Sequence, residues 1–149
     1  MEKIAVFLND AAHAQSMLAP LLQSSGPSHW IMVACPPTLT RHIGRWVSGP
    51  AKQQWRERWS AELFAQVEPL LKAQHGSRVE RMLAKRPLFE VATRLDSRLG
   101  SIKVFDARRP RIGRPNEPLT ADAPAHELSR WTYPVAVTTG LSAMLALAD

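Results

Sequence analysis

Five short apolar runs, set apart by longer amphipathic or loop-forming stretches, frame this 149-residue chain. Lys3–Leu8 (KIAVFL) and His29–Cys35 (HWIMVAC) show no apolar–polar alternation, the pattern of strands buried on both faces of a parallel sheet. Ser77–Ala84 predicts a third strand. Arg78, Glu80 and Arg81 interrupt it, which places it near a sheet edge or gives it a wet face. Ile102, Val104 and Phe105 supply a short fourth strand. Tyr133–Thr139 (YPVAVTT) supplies a fifth, with Pro134 tolerable only at its start or on an edge.

Helical spacing fills the gaps. Asp10 is a good N-cap for a helix over Ala11–Gln23, in which Ala14, Met17, Leu18, Leu21 and Leu22 share a stripe and Pro20 is expected to kink or shorten the end. Ala51–Gln74 carries Trp55, Trp59, Leu63 and Val67 every four residues, with Arg56, Glu57, Arg58 and Glu62 on the other side. Two tryptophans on such a stripe are read as core rather than as a ligand shelf. Pro69 should bend its last turns, and Gly76 ends it. Leu88–Leu99 is a third helix closed by Gly100. Thr38–Pro50 is less regular, with room for a helical turn at Ile43–Val47. Residues 107–124 are punctuated by Pro110, Pro115, Pro118 and Pro124. Ala125–Trp131 can form a short helix, and Leu141–Ala148 is either a final helix or a segment packed on a partner. Pro-Leu-Leu stands eight residues before Ser28 and again before Ser77, an echo of one αβ junction in the next.

Strands alternating with helices predict one α/β domain over residues 1–149. The expected fold is a three-layer, Rossmann-like sandwich around a five-stranded, mainly parallel sheet, with right-handed crossovers placing helices on both faces.

Charge changes this picture in one place. The net charge is +6, but residues 78–114 hold eleven Lys/Arg against four Asp/Glu, whereas residues 115–149 hold one against four. The focus is Ser101–Arg114 (SIKVFDARRPRIGR), a strand running into a loop with Arg108, Arg109, Arg111 and Arg114. The exit of a parallel strand is where α/β folds keep their ligands. Positive charge there predicts an anionic partner: nucleotide, nucleic acid or acidic lipid. The plain alternative is a solvated basic face.

Other chemistry is thinly represented. The single cysteine, Cys35, excludes an internal disulfide and a cysteine-based zinc site, and it reads as a small buried hydrophobe. His13, His29, His42, His75 and His126 show no metal-binding spacing. There is no P-loop and no GxGxxG. Glu90 and Asp96 fall on different faces of one helix, as solvated charges do. No apolar run reaches the ~20 residues of a membrane span. The opening MEKIAVFLND lacks the form of a signal peptide, which makes the cytoplasm the expected location.

Three stretches resemble the universal stress protein family: KIAVFLNDAAHA its opening strand and turn, WIMVACPP its second strand and proline-bearing exit, and ELSRWTYPVAV its closing helix, turn and final strand. The resemblance covers nearly the whole chain. Nucleotide-binding members place G-x2-G-x9-G-[ST] after the fourth strand. Here the register starts at Asp106, so the glycine positions become Asp106, Arg109 and Leu119, only Thr120 fits, and Gly113 lies out of register. The family's opening aspartate is replaced by Asn9 or displaced to Asp10. A Cβ at a left-handed position costs roughly 1–2 kcal/mol, and Asp106 repels phosphate. The resemblance therefore implies a divergent member with a degenerate nucleotide-binding motif and no cofactor, one for which ATP by the family's usual route is disfavoured.

Two functions remain open. The first is a non-catalytic stress-response or regulatory module, homodimeric through Tyr133, Val135, Val137 and the apolar tail. The second is a binder of nucleic acid or a phosphate-bearing small ligand. Its candidate residues are Asn9, Asp10, Arg108, Arg109, Arg111, Gly113, Arg114 and Thr120. An exposed arginine stripe favours nucleic acid, a ring around a pocket favours a small anion, and arginines paired with Asp and Glu favour neither.

Overall fold

A computed structural model describes residues 1–37, 45–110 and 116–119, and the backbone of 131–132. Within them lie β1 (Glu2–Leu8), α1 (Ala11–Ser24), β2 (Ser28–Ala34), α2 (Gly49–Lys72), β3 (Arg78–Leu83), α3 (Leu88–Leu99), β4 (Lys103–Asp106) and β5 (Trp131–Thr132). β1 to β4 form a parallel sheet in the order β3-β2-β1-β4, and β5 adds two antiparallel residues beside β4. The fold is thus α/β with four parallel strands and three helices. The expected fifth strand, Tyr133–Thr139, lies outside the described residues. Trp131, expected to end a helix, instead pairs with Phe105.

Alternation along the strands divides the core in two. Ile4, Val6, Leu8, Trp30, Met32 and Ala34 face α1 and α2, meeting Ala14, Leu18, Leu63, Phe64, Val67 and Leu71. Ala5, Phe7, Ile31, Val33 and Val104 face α3, meeting Leu88, Val91, Ala92 and Leu95. Burial on both faces explains why β1 and β2 read as unbroken apolar runs. β3 takes the edge, as its charges predict, and His29 on β2 meets β3's Glu80 at 2.9 Å.

Both internal prolines are absorbed. α1 runs through Pro20 to Ser24 and α2 through Pro69 to Lys72. Burial of Leu18 before one proline, and of Val67 and Leu71 around the other, outweighs the missing backbone bonds. The tryptophans of the α2 stripe are only half-buried, and Leu63, Phe64, Val67 and Leu71 form its core face. The repeated αβ junctions sit side by side. Ser28 N–H donates to Ser77 Oγ at 3.1 Å, Gln74 Nε2 donates to Ser25 O at 2.7 Å, and Gly76 turns at φ +85°, where a Cβ would come within 3.5 Å of Pro27.

Asp96 corrects an expectation. It is buried, not solvated, and its Oδ1 accepts from Ile102 N–H at 3.1 Å. It holds the tight exit from α3, where Gly100 (φ +68°) donates to Asp96 O at 2.8 Å and Ser101 follows at φ 49°.

Candidate functional site

The strand order reverses between β1 and β4, since the chain builds outward from β1 to β3 and then returns to β1's other side. The carboxyl ends of β1 and β4 are therefore the topological switch point, the usual ligand crevice of an open parallel sheet. Asn9 and Asp10 leave β1 there, and Ala107 to Arg109 leave β4.

This crevice is fastened from within. Ala107 N–H donates to Phe7 O at 3.0 Å, Arg108 N–H to Asp106 Oδ1 at 3.1 Å, and Arg109 N–H to Asn9 Oδ1 at 2.6 Å. Asn9 Nδ2 returns a bond to Arg109 O at 3.3 Å. Three successive amides that could form a phosphate-binding nest are thus committed to the protein itself. The side chains follow suit. Arg108 is buried and forks onto Asp106, at 2.9 Å from Nε and 3.2 Å from Nη2. Arg109 projects into solvent and reaches Asp10 at 3.4 Å. Asp10 is also the expected N-cap of α1, accepting from Ala12 N–H at 3.2 Å.

The structure therefore brings together Asn9, Asp10, Arg108 and Arg109 among the expected site residues. Arg111, Gly113, Arg114 and Thr120, and the interface candidates Tyr133, Val135 and Val137, lie outside the described residues. The third glycine position of the family motif, Leu119, packs into the core beside α3. Arg81 is also paired, with Glu68 at 2.5 Å, and stacks over Phe64. Arg81, Arg108 and Arg109 thus each meet Asp or Glu, whereas Arg86 has no carboxylate partner among the described residues.

Beside the fastened crevice, toward β2 and β3, lies an open cleft of about 450 Å³. Its walls are the strand exits Cys35–Pro37 and Ala84–Leu88, with Arg56 from α2, Asn9, Arg108, Asn116 and Glu117. Arg56 was expected only on the polar side of its helix. Among the described residues, Arg56, Lys85 and Arg86 have no carboxylate partner. Among the described residues Glu117 is the cleft's one acid; its Oε1 accepts from Leu88 N–H at 3.1 Å, at the start of α3. That helix begins at Pro87, which offers no side-chain cap of its own.

Cys35 also touches the cleft, packed against the α3-side core. Burial pushes its thiol up to about 12. Arg108 pulls the other way, but the nearby Asp106 and Glu117 add to the rise. At neutral pH it is a neutral thiol and a poor nucleophile. Among the described residues, no three His, Cys, Asp or Glu side chains gather as a metal site, and no helix is long and apolar enough to cross a membrane.

Comparison with protein-family models, curated proteins and solved structures found no match.

Proposed function

We propose that this protein is a non-catalytic regulatory module of universal stress protein type, Rossmann-like in fold, that acts as a homodimer and does without ATP in the phosphate loop. The observation that carries this reading is the commitment of the amides of Ala107, Arg108 and Arg109 to Phe7, Asp106 and Asn9. A nucleotide approaching in the family's manner would meet occupied donors and the Asp106 carboxylate. The neutral thiol of Cys35 supports a non-catalytic role, since it leaves the cleft without an activated nucleophile at that position. The stress-related role and the dimer rest on the sequence resemblance.

Titration calorimetry with ATP, ADP and AMP, at low and at moderate salt, tests the reading, with sedimentation reporting the oligomeric state. The expected result is a dimer with no base-specific, salt-resistant nucleotide binding, and none that depends on Arg109. Salt-resistant binding of ATP that is lost in Arg109→Ala would overturn it. Weak binding that vanishes with salt and ignores the base would favour a polyanion on the basic face instead.

A further inference from the structure

The open cleft is built for a small oxyanion. Of its five charged wall residues among those described, Arg108 is already neutralised by Asp106, and Glu117 spends its carboxylate on a backbone amide. Arg56 from α2 and Lys85 and Arg86 from the β3 exit line one cavity, without a carboxylate partner among the described residues. Other cations of the described residues are neutralised, among them Lys103 with Glu2, Arg81 with Glu68 and Arg109 with Asp10, and those that are not, such as Lys52, Arg58 and Arg94, do not line this cavity. Unpaired cations around a cavity cost self-repulsion that an anion relieves.

The position of Glu117 shows where an anion sits. It reaches back from the segment beyond β4 to accept from Leu88 N–H, 29 residues away in sequence. The start of α3 has no cap from its own residues, so that amide and the helix dipole favour negative charge. Leu119 fixes this segment by inserting into the core, while Glu117 itself is exposed and able to swing out.

We infer that the cleft between Arg56, Lys85 and Arg86 is a binding site for a small, multiply charged oxyanion, a phosphorylated or polycarboxylate metabolite, and that Glu117 is its internal stand-in. An incoming oxyanion takes over the Leu88 amide, displaces the Glu117 carboxylate and brings the charge that the three cations lack. The two guanidinium groups and the ammonium suit phosphate and carboxylate oxygens alike. The site adjoins the fastened crevice, sharing Asn9 and Arg108 as wall residues, but its unpaired cations lie outside it, and the inference stands or falls independently of the stress-protein reading.

The test is calorimetric titration of the full chain with pyrophosphate and, separately, citrate at low salt, with amide-resolved NMR following Leu88. The wild-type protein is expected to bind at least one of the two, and the tighter one identifies the ligand chemistry. Glu117→Ala removes both the charge and the competitor and should tighten binding about tenfold, with Glu117→Gln in between. Lys85→Ala/Arg86→Ala should weaken it at least tenfold while leaving the exposed loop folded. The Leu88 amide should shift on titration. Failure of both anions to bind wild-type and Glu117→Ala protein would overturn the site. Equal binding by the double variant would reduce it to a nonspecific basic surface. Equal affinities of wild-type and Glu117→Ala protein would refute displacement.

Discussion

Two regions at the same end of the sheet treat charge in opposite ways. At the exits of β1 and β4, Arg108 has Asp106, Arg109 has Asp10, and the backbone amides that follow β4 have partners within the protein. At the exits of β2 and β3, Arg56, Lys85 and Arg86 line a cleft with no such partners among the described residues. The arginine-rich loop draws the eye in sequence, but its placed arginines are internal fasteners. Local charge density therefore says less about a ligand than whether the charge is already answered. The usual ligand crevice is fastened from within, and the neighbouring cleft gathers three cations without a carboxylate partner among the described residues.

The sharpest way to break this comparison is at Arg108. If it fastens the crevice, Arg108→Ala leaves the Asp106 carboxylate part-buried with the residue-108 amide but no guanidinium to neutralise it. It should then cost about 3 kcal/mol in urea-induced unfolding. A residue kept only for a ligand would cost almost nothing. Asn9→Ala comes next. It removes both bonds to the Arg109 backbone and should lose about 1–2 kcal/mol, whereas Arg109→Ala, at an exposed side chain, should stay within about 0.5 kcal/mol. Equal losses from the two would show that the clasp lies in the side-chain pair and not in Asn9.

The smallest effect concerns an ion pair away from both regions. The hydrogen bond from Arg81 holds the Glu68 carboxyl below its ordinary value, against a smaller upward push from burial. A carboxyl lowered in the folded state stabilises the protein above its unfolded value, 4.5. That contribution is lost as pH falls through the folded value. Glu68→Gln should therefore cost about 0.5 kcal/mol at neutral pH, discounted for solvent exposure, and nothing once the carboxyl is protonated. A pH-independent loss would mean that packing on Phe64, not charge, is what Arg81 contributes there.

Much of the frame was legible in the chain. β1 and β2 announced themselves as unbroken apolar runs because helices cover both their faces, and the charges of β3 marked an edge. Leu88–Leu99 and its Gly100 stop were legible because stripe and terminator agree. The six-residue separation of Asp96 from Glu90 puts the two on different faces but does not say which face is buried. Asp96 follows Ala92 by one full helical step and adjoins Leu95, so it lies on the buried stripe, and that position before Gly100 was the available signal. The cleft was not legible. Its cations come from the middle of α2 and from the β3 exit, and only the crossover connections bring them together. Leu119 stood out as a departure from glycine, yet nothing local said that its side chain enters the core.

One titration sets the two regions against each other directly. Pyrophosphate is added to the wild-type protein at low salt while the backbone amides of Leu88 and of Ala107, Arg108 and Arg109 are followed by NMR. The account predicts a saturable shift at Leu88, as Glu117 is displaced, with the three amides of the fastened crevice unmoved. Shifts at Ala107 to Arg109 with Leu88 unchanged would contradict it, because the phosphate crevice would then be open and the cleft inert.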